Sequence, residues 1–162
     1  MKKLVWIVLL GAMAVLSAGC GITLSCGAED QAQPPEATAV PYDLEIREKM
    51  FLTQTNDIYT NADEYVGKVI KLEGMFLSSY YEPSDSMYYM VMRNGPGCCG
   101  NDGTVGFEVC FDESVMDMPA DDDWVEAIGT LEWYEEFGQR YLHLNLVSLT
   151  VLDTRGAEMV TQ

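Results

Sequence analysis

The stretch Lys68–Phe76, KVIKLEGMF, decides the fold. Ile70, Leu72 and Phe76 fall on one side of a period of two, Lys71 and Glu73 on the other. That is the pattern of a strand with one face in a core and one in water. Gly74 interrupts the apolar side, as a bulge or a barrel bend does. The period recurs downstream. Met87–Met92 is apolar on both faces. Thr104–Phe111 sends Val105, Phe107, Val109 and Phe111 one way and Glu108 and Cys110 the other. Trp124–Tyr134 alternates Val125, Ala127, Leu131 and Trp133 inward. Gly138 turns the chain into Gln139–Leu152, where a phase shift near Leu146-Val147 predicts another bulge.

Five such strands predict an all-β fold with a short helical turn: a small five-stranded, OB-like antiparallel β-barrel. A five-stranded sandwich is the alternative, since both architectures manage exposed strand edges. The helical turn is Asn61–Gly67, with Asn61 as N-cap, Asp63 and Glu64 in the first turn and Gly67 at the end. Tyr42–Tyr59 reads equally as a strand with a turn or as a short helix.

Further out lies an export signal. Met1-Lys2-Lys3 is basic, Leu4–Leu16 is apolar, and Ser17-Ala18-Gly19-Cys20 is small. This is the order of a secretory signal peptide, and the apolar run is shorter than the roughly 20 residues that span a bilayer. Its end resembles a bacterial lipobox, with Ser17 where an apolar residue is usual and Cys26 as a second candidate cysteine. Gly27–Pro41 is small, polar and proline-containing, a flexible tether. The expected plan is a signal peptide with lipobox cysteine over 1–20, a linker over 21–42, the barrel over 43–155 and a tail over 156–162. The protein is then expected outside the cytoplasm, held to the bacterial cell membrane by a lipid on Cys20.

Charge limits the partners. Without Lys2 and Lys3 the chain has 7 basic residues against 26 acidic, a net charge of −19. Nucleic acid and anionic headgroups are bound by Lys and Arg, so both are excluded as partners for this domain. Cations and basic partners remain compatible.

The unusual chemistry lies in Gly95–Gly103, GPGCCGNDG. Neighbouring Cα atoms are about 3.8 Å apart, too close for an unstrained disulfide between Cys98 and Cys99. Outside the cytoplasm one of them would bond Cys110 instead. The competing reading is a thiolate zinc site from Cys98, Cys99 and Cys110, with His143 or Asp102 as fourth ligand. A reactive thiol in the glycine-rich loop is a third. Asp121-Asp122-Asp123 reads as an acidic turn, with calcium as the alternative. Trp133, Tyr134 and Tyr141 are candidates to line a ligand groove or to pack the barrel. No catalytic motif is recognisable, so no enzymatic activity is expected.

Several short segments recur in the order of a known family: Asn56-Asp57-Ile58-Tyr59, Tyr65–Lys68 with Leu72-Glu73-Gly74, Cys98-Cys99-x-x-Asp102, and Trp124-Val125-Glu126 with Gly129-Thr130-Leu131. From about Asp43 to Asp153 the chain resembles the C-terminal domain of the YcgQ-like (DUF1980) proteins, commonly encoded beside a YcgR-like permease. The resemblance implies an OB-like barrel, an accessory role in a transport system, and the signature positions Cys98, Cys99 and Asp102. It departs in having one export segment where relatives often have membrane helices. The combined expectation is a lipid-anchored binding or accessory module with zinc on Cys98, Cys99, Asp102, Cys110 and His143. The alternatives are a disulfide-stapled protein–protein interaction domain and a thiol oxidoreductase.

Overall fold

Strand β2 (Val69–Tyr81) serves two neighbours and thereby closes a barrel. Its first half pairs antiparallel with β5 (Trp124–Glu136), from Val69↔Thr130 to Met75↔Trp124. Its second half pairs antiparallel with β3 (Ser86–Gly97), from Met75↔Met92 to Tyr81↔Ser86. The changeover falls at Gly74-Met75. A Cβ on Gly74 would stand 2.7 Å from the Met92 carbonyl oxygen, so only glycine permits this bend. The computed structural model describes residues 40–161 apart from Cys98, Cys99 and Val115, and leaves aside the side chains of 97–102. All of these belong to the second of two compact units, residues 37–162. The expected signal peptide, Cys20, Cys26 and most of the linker lie outside the described residues.

The remaining strands complete the ring. β3 pairs with β4 (Gly100–Cys110), β4 runs parallel to β6 (Gln139–Val151), and β6 pairs antiparallel with β5. Counting only the barrel strands, the order is first, second, third, fifth, fourth and back to first. This is a closed five-stranded, OB-like barrel, as expected, with one parallel pair in an otherwise antiparallel ring. A two-residue β1 (Leu44–Glu45) lies parallel to the start of β2. The bulge expected in the last strand is present: Ile128 faces Ser148 and Gly129 faces Leu146, which leaves Val147 unpaired.

Alternation fills the interior. Ile70, Leu72, Phe76, Phe107, Leu131 and Leu144 are buried there. The ambiguous segment before β2 is helical: a 3-10 turn (Glu48–Met50) leads into α1 (Phe51–Thr60), then α2 (Ala62–Tyr65). Phe51, Thr55 and Ile58, spaced for one helix face, are the buried residues of α1. Asn61 does not cap α2 with its side chain; its amide donates to Asp57 instead. The C-terminal residues are part of the unit. Val160 is buried, and the Val160 amide donates to the Asn94 carbonyl while the Asn94 amide donates to that of Glu158.

One charge lies inside. Arg93 occupies an inward position of β3 and is 1% exposed. Its Nε donates to the Glu73 carbonyl at 2.8 Å, and its Nη1 donates to the Ala157 carbonyl at 3.0 Å and to Glu48 Oε2 at 3.3 Å. Its guanidinium lies 4.8 Å from the Phe51 ring and 4.7 Å from the Trp124 ring. Burial pulls its pKa down, and Glu48 pushes it back up. Arg93→Ala leaves two carbonyls without a donor and a void between two rings. It is expected to cost about 3 kcal/mol or more in urea unfolding. Glu48→Ala, at the exposed end of the pair, is expected to cost about 1 kcal/mol or less.

Candidate functional site

The outer face of β3, β4, β6 and β5 sets tyrosines and methionines among its carboxylates. Alternation turns Tyr88, Met90 and Met92 outward on β3, Glu108 and Cys110 on β4, Tyr141 and His143 on β6, and Glu132, Tyr134 and Glu136 on β5. The pairing lines up Met90, Glu108, His143 and Glu132 in one row across the four strands. Tyr134 lies over this row. Its ring stacks on His143 at 4.8 Å and 16°, and its hydroxyl donates to Glu108 Oε2 at 2.8 Å. Beside it, the Tyr88 hydroxyl donates to Glu136 Oε1.

Two adjoining hollows border this face, the second reaching in to the core-side Trp133 and Leu142 and to Tyr59 of α1. One, of about 330 Å³, is lined by Tyr81, Tyr88, Tyr134, Tyr141 and Phe137 around Glu108 and Glu136. The other, of about 350 Å³, shares Met90, Glu108 and Tyr141 and adds Tyr59, Trp133 and Arg140. Arg140 is placed on the Trp133 ring, 4.4 Å from its centroid. Of the aromatic candidates named from the sequence, Trp133 and Tyr141 line the second hollow, Tyr134 and Tyr141 the first.

Electrostatics single out Glu108. Burial pushes its carboxyl above the usual range, while the Tyr134 hydrogen bond and the His143 charge pull it partly back. Tyr134 is raised in turn, by burial first and then by its bond to Glu108. Tyr59, whose hydroxyl turns in to donate to the Gly106 carbonyl at 3.0 Å, is pushed up to about 12 by burial and by Glu108. Among the described residues, neither Glu108 nor Glu136 has an ion pair, while His143 on the same face stands 3.9 Å from Glu132.

Of the five expected metal ligands, the structure describes the side chains of Cys110 and His143. Cys110 and His143 lie together at one end of the β3–β4 hairpin, facing Asn145 and Glu108 in the register. Cys98 and Cys99 lie outside the described residues, as does the side chain of Asp102. Their neighbours Gly97 and Gly100 pair with each other at the other end of the hairpin. From Gly100 to Cys110 is the length of β4, roughly 30 Å at the rise of a strand. The stretch read as a glycine loop is largely strand, with a register shift between Gly95 and Gly97 absorbing the irregularity. Among the described residues, no three His, Cys, Asp or Glu side chains gather as a metal site.

Cys110 is exposed and free, and burial with Glu108 and Glu132 nearby holds its thiol above the ordinary value. A reactive thiol needs the opposite shift. His143 is covered by Tyr134 and stands 3.9 Å from Glu132. The Asp121–Asp123 carboxylates each have local work: Asp121 accepts from Ser78, Asp122 from Arg155, and Asp123 from the Ala120 amide. Sequence reasoning missed Tyr88, Met90, Phe137 and the weight on Glu108. The available signal was the strand Met87–Met92, apolar on both faces.

A family model described as DUF1980 C-terminal domain matches residues 27–158. Among curated proteins none matches the chain.

One outcome follows from the electrostatics of this face. Glu108 has a folded pKa above its unfolded value of 4.5. The folded state therefore binds the extra proton between the two values, and stability falls as pH rises through that window. Glu108→Gln is expected to melt higher than the native chain at pH 7, with the difference vanishing below pH 4.5.

Proposed function

We propose that this chain, which belongs to the DUF1980 C-terminal domain family, is an exported binding module that captures its ligand on the outer face of β3, β4, β6 and β5. The observation carrying this is the pair of aromatic hollows around Glu108. A ligand site is a concavity with apolar walls and a few placed polar groups, and these hollows have that character. Tyr81, Tyr141 and Phe137 are 49%, 42% and 64% exposed, so the rings stand free to be covered. On a face that had only to be soluble, polar side chains would serve better.

Tethering outside the cytoplasm is supported by the basic, apolar and small residues that lead to Cys20. The acidic charge suits a domain that does not lie on an anionic membrane. Service to an envelope transport system is supported by the family resemblance. For a thiophilic metal the family resemblance points to Cys98, Cys99 and Asp102.

The test is saturation-transfer NMR on the full chain in a non-ionic detergent, against a panel of oligosaccharides, carboxylic acids, amino acids and alkylammonium salts. At least one class is expected to give a signal that Tyr141→Ala abolishes. Silence from the whole panel at about 10 mM, or a signal indifferent to Tyr141, would overturn the reading.

A further inference from the structure

The lining of the first hollow decides what can enter it. Among its side chains are two carboxylates, Glu108 and Glu136, five aromatic rings and the Met90 thioether, and none of the lining residues is basic. One oxygen of each carboxylate accepts a tyrosine hydroxyl, from Tyr134 and Tyr88. The rest of that negative charge has no ion-pair partner among the described residues. Of the bases nearby, His143, opposite Glu108 in the register, lies against the Tyr134 ring with Glu132 at 3.9 Å, and Arg140, which lines the adjoining hollow, is held on Trp133.

We propose that this hollow binds a small organic cation, an alkylated ammonium group seated against the tyrosine rings and balanced by Glu108 and Glu136. The proposal rests on the outer face being the ligand face. Anions are excluded by the two carboxylates. A hard metal ion asks for six or more oxygen ligands, and this lining is mostly carbon. A neutral sugar would stack on the rings and leave the half-buried charge of Glu108 uncompensated. An alkylammonium satisfies both features, since its charge is spread over methyl or methylene groups that aromatic faces attract. The volume of about 330 Å³ suits a free small molecule.

The rim supports the same occupant. The β5–β6 turn has Phe137 at φ 50 and Gly138 at φ 74. Positive φ at both central residues is the geometry of Asn-Gly turns, and a bulky aromatic there is strained. Phe137 stands 64% exposed, with its ring edge-on to Tyr81 at 6.4 Å. The turn does not call for this ring, and it adds a further aromatic face over the hollow.

Calorimetric titration of the full chain in a non-ionic detergent tests the proposal, with choline as probe and 3,3-dimethylbutan-1-ol as its uncharged isostere. Choline is expected to bind with a Kd of about 1 mM or tighter, and the isostere at least about tenfold more weakly. Glu108→Gln is expected to weaken choline about tenfold while melting no lower than the native chain. Phe137→Asn is expected to weaken it several-fold at an equal or higher Tm. Equal binding of choline and its isostere, or choline affinity unchanged in both variants, overturns the proposal. A trilysine peptide binding more tightly than choline overturns it in favour of a partner's side chain. Failure of choline, with another panel member held in a Tyr141-dependent way, sinks the cation and leaves the ligand face standing. Silence from everything sinks both.

Discussion

A single guanidinium ties together segments far apart in the sequence. Arg93 leaves water to meet Glu73 on β2, Glu48 ahead of α1 and Ala157 near the C-terminus, while Phe51 and Trp124 close over its two faces. Taking an arginine out of water is costly unless its charge is paired and its N–H groups are engaged. Here three acceptors and two rings meet that requirement at once. The close quarters extend to Gly156, where a Cβ would stand 2.7 Å from Glu48 Oε2 and 3.0 Å from Trp124. The N-terminal segment and the C-terminal tail thus meet at Arg93, the first through the exposed Glu48 carboxylate and the second through the Ala157 carbonyl.

The same alternation that puts Arg93 inside puts Glu108 outside, and the two charges meet opposite treatment. Most of the other exposed or partly buried carboxylates that can be followed have partners: Glu126 with Lys71, Asp122 and Glu158 with Arg155, Asp121 with Ser78. Glu108 is half-buried by tyrosine rings and has a hydroxyl for company. The barrel needs no carboxylate there, since the outward position could hold any polar side chain. Its environment follows from the bulk of Tyr134 and its neighbours, which the twisted sheet gathers over one row of residues.

The inner face was legible and the outer one was not. Ile70, Leu72, Phe107, Leu131 and Leu144 announce themselves by a period of two, and the slip at Val147 shows as a break in that period. The bend at Gly74 could be read because an apolar strand gives up a core side chain only for a geometric reason. Outward residues obey no such rule. That Glu108, His143 and Tyr134 meet depends on the parallel pairing of β4 with β6, which joins strands whose facing residues lie 35 positions apart, as Glu108 and His143 do. Helix α1 was ambiguous because Thr55 interrupts its apolar stripe, and its hydroxyl is buried without a partner.

Two local costs converge on one hollow, and they have different physical origins. Glu108 is an electrostatic cost, a carboxylate partly stripped of water. Phe137 is a steric one, a bulky side chain at positive φ where asparagine or glycine would rest more easily. Neither relieves the other, and neither is required by the strand pairing around it. A sequence free to optimise stability alone could remove each with a single conservative change, glutamine at 108 and asparagine at 137. Elsewhere the fold spends its special residues on closure, as with Gly74 and Arg93. The cation proposed for this opening would repay the charge with charge and the ring with contact.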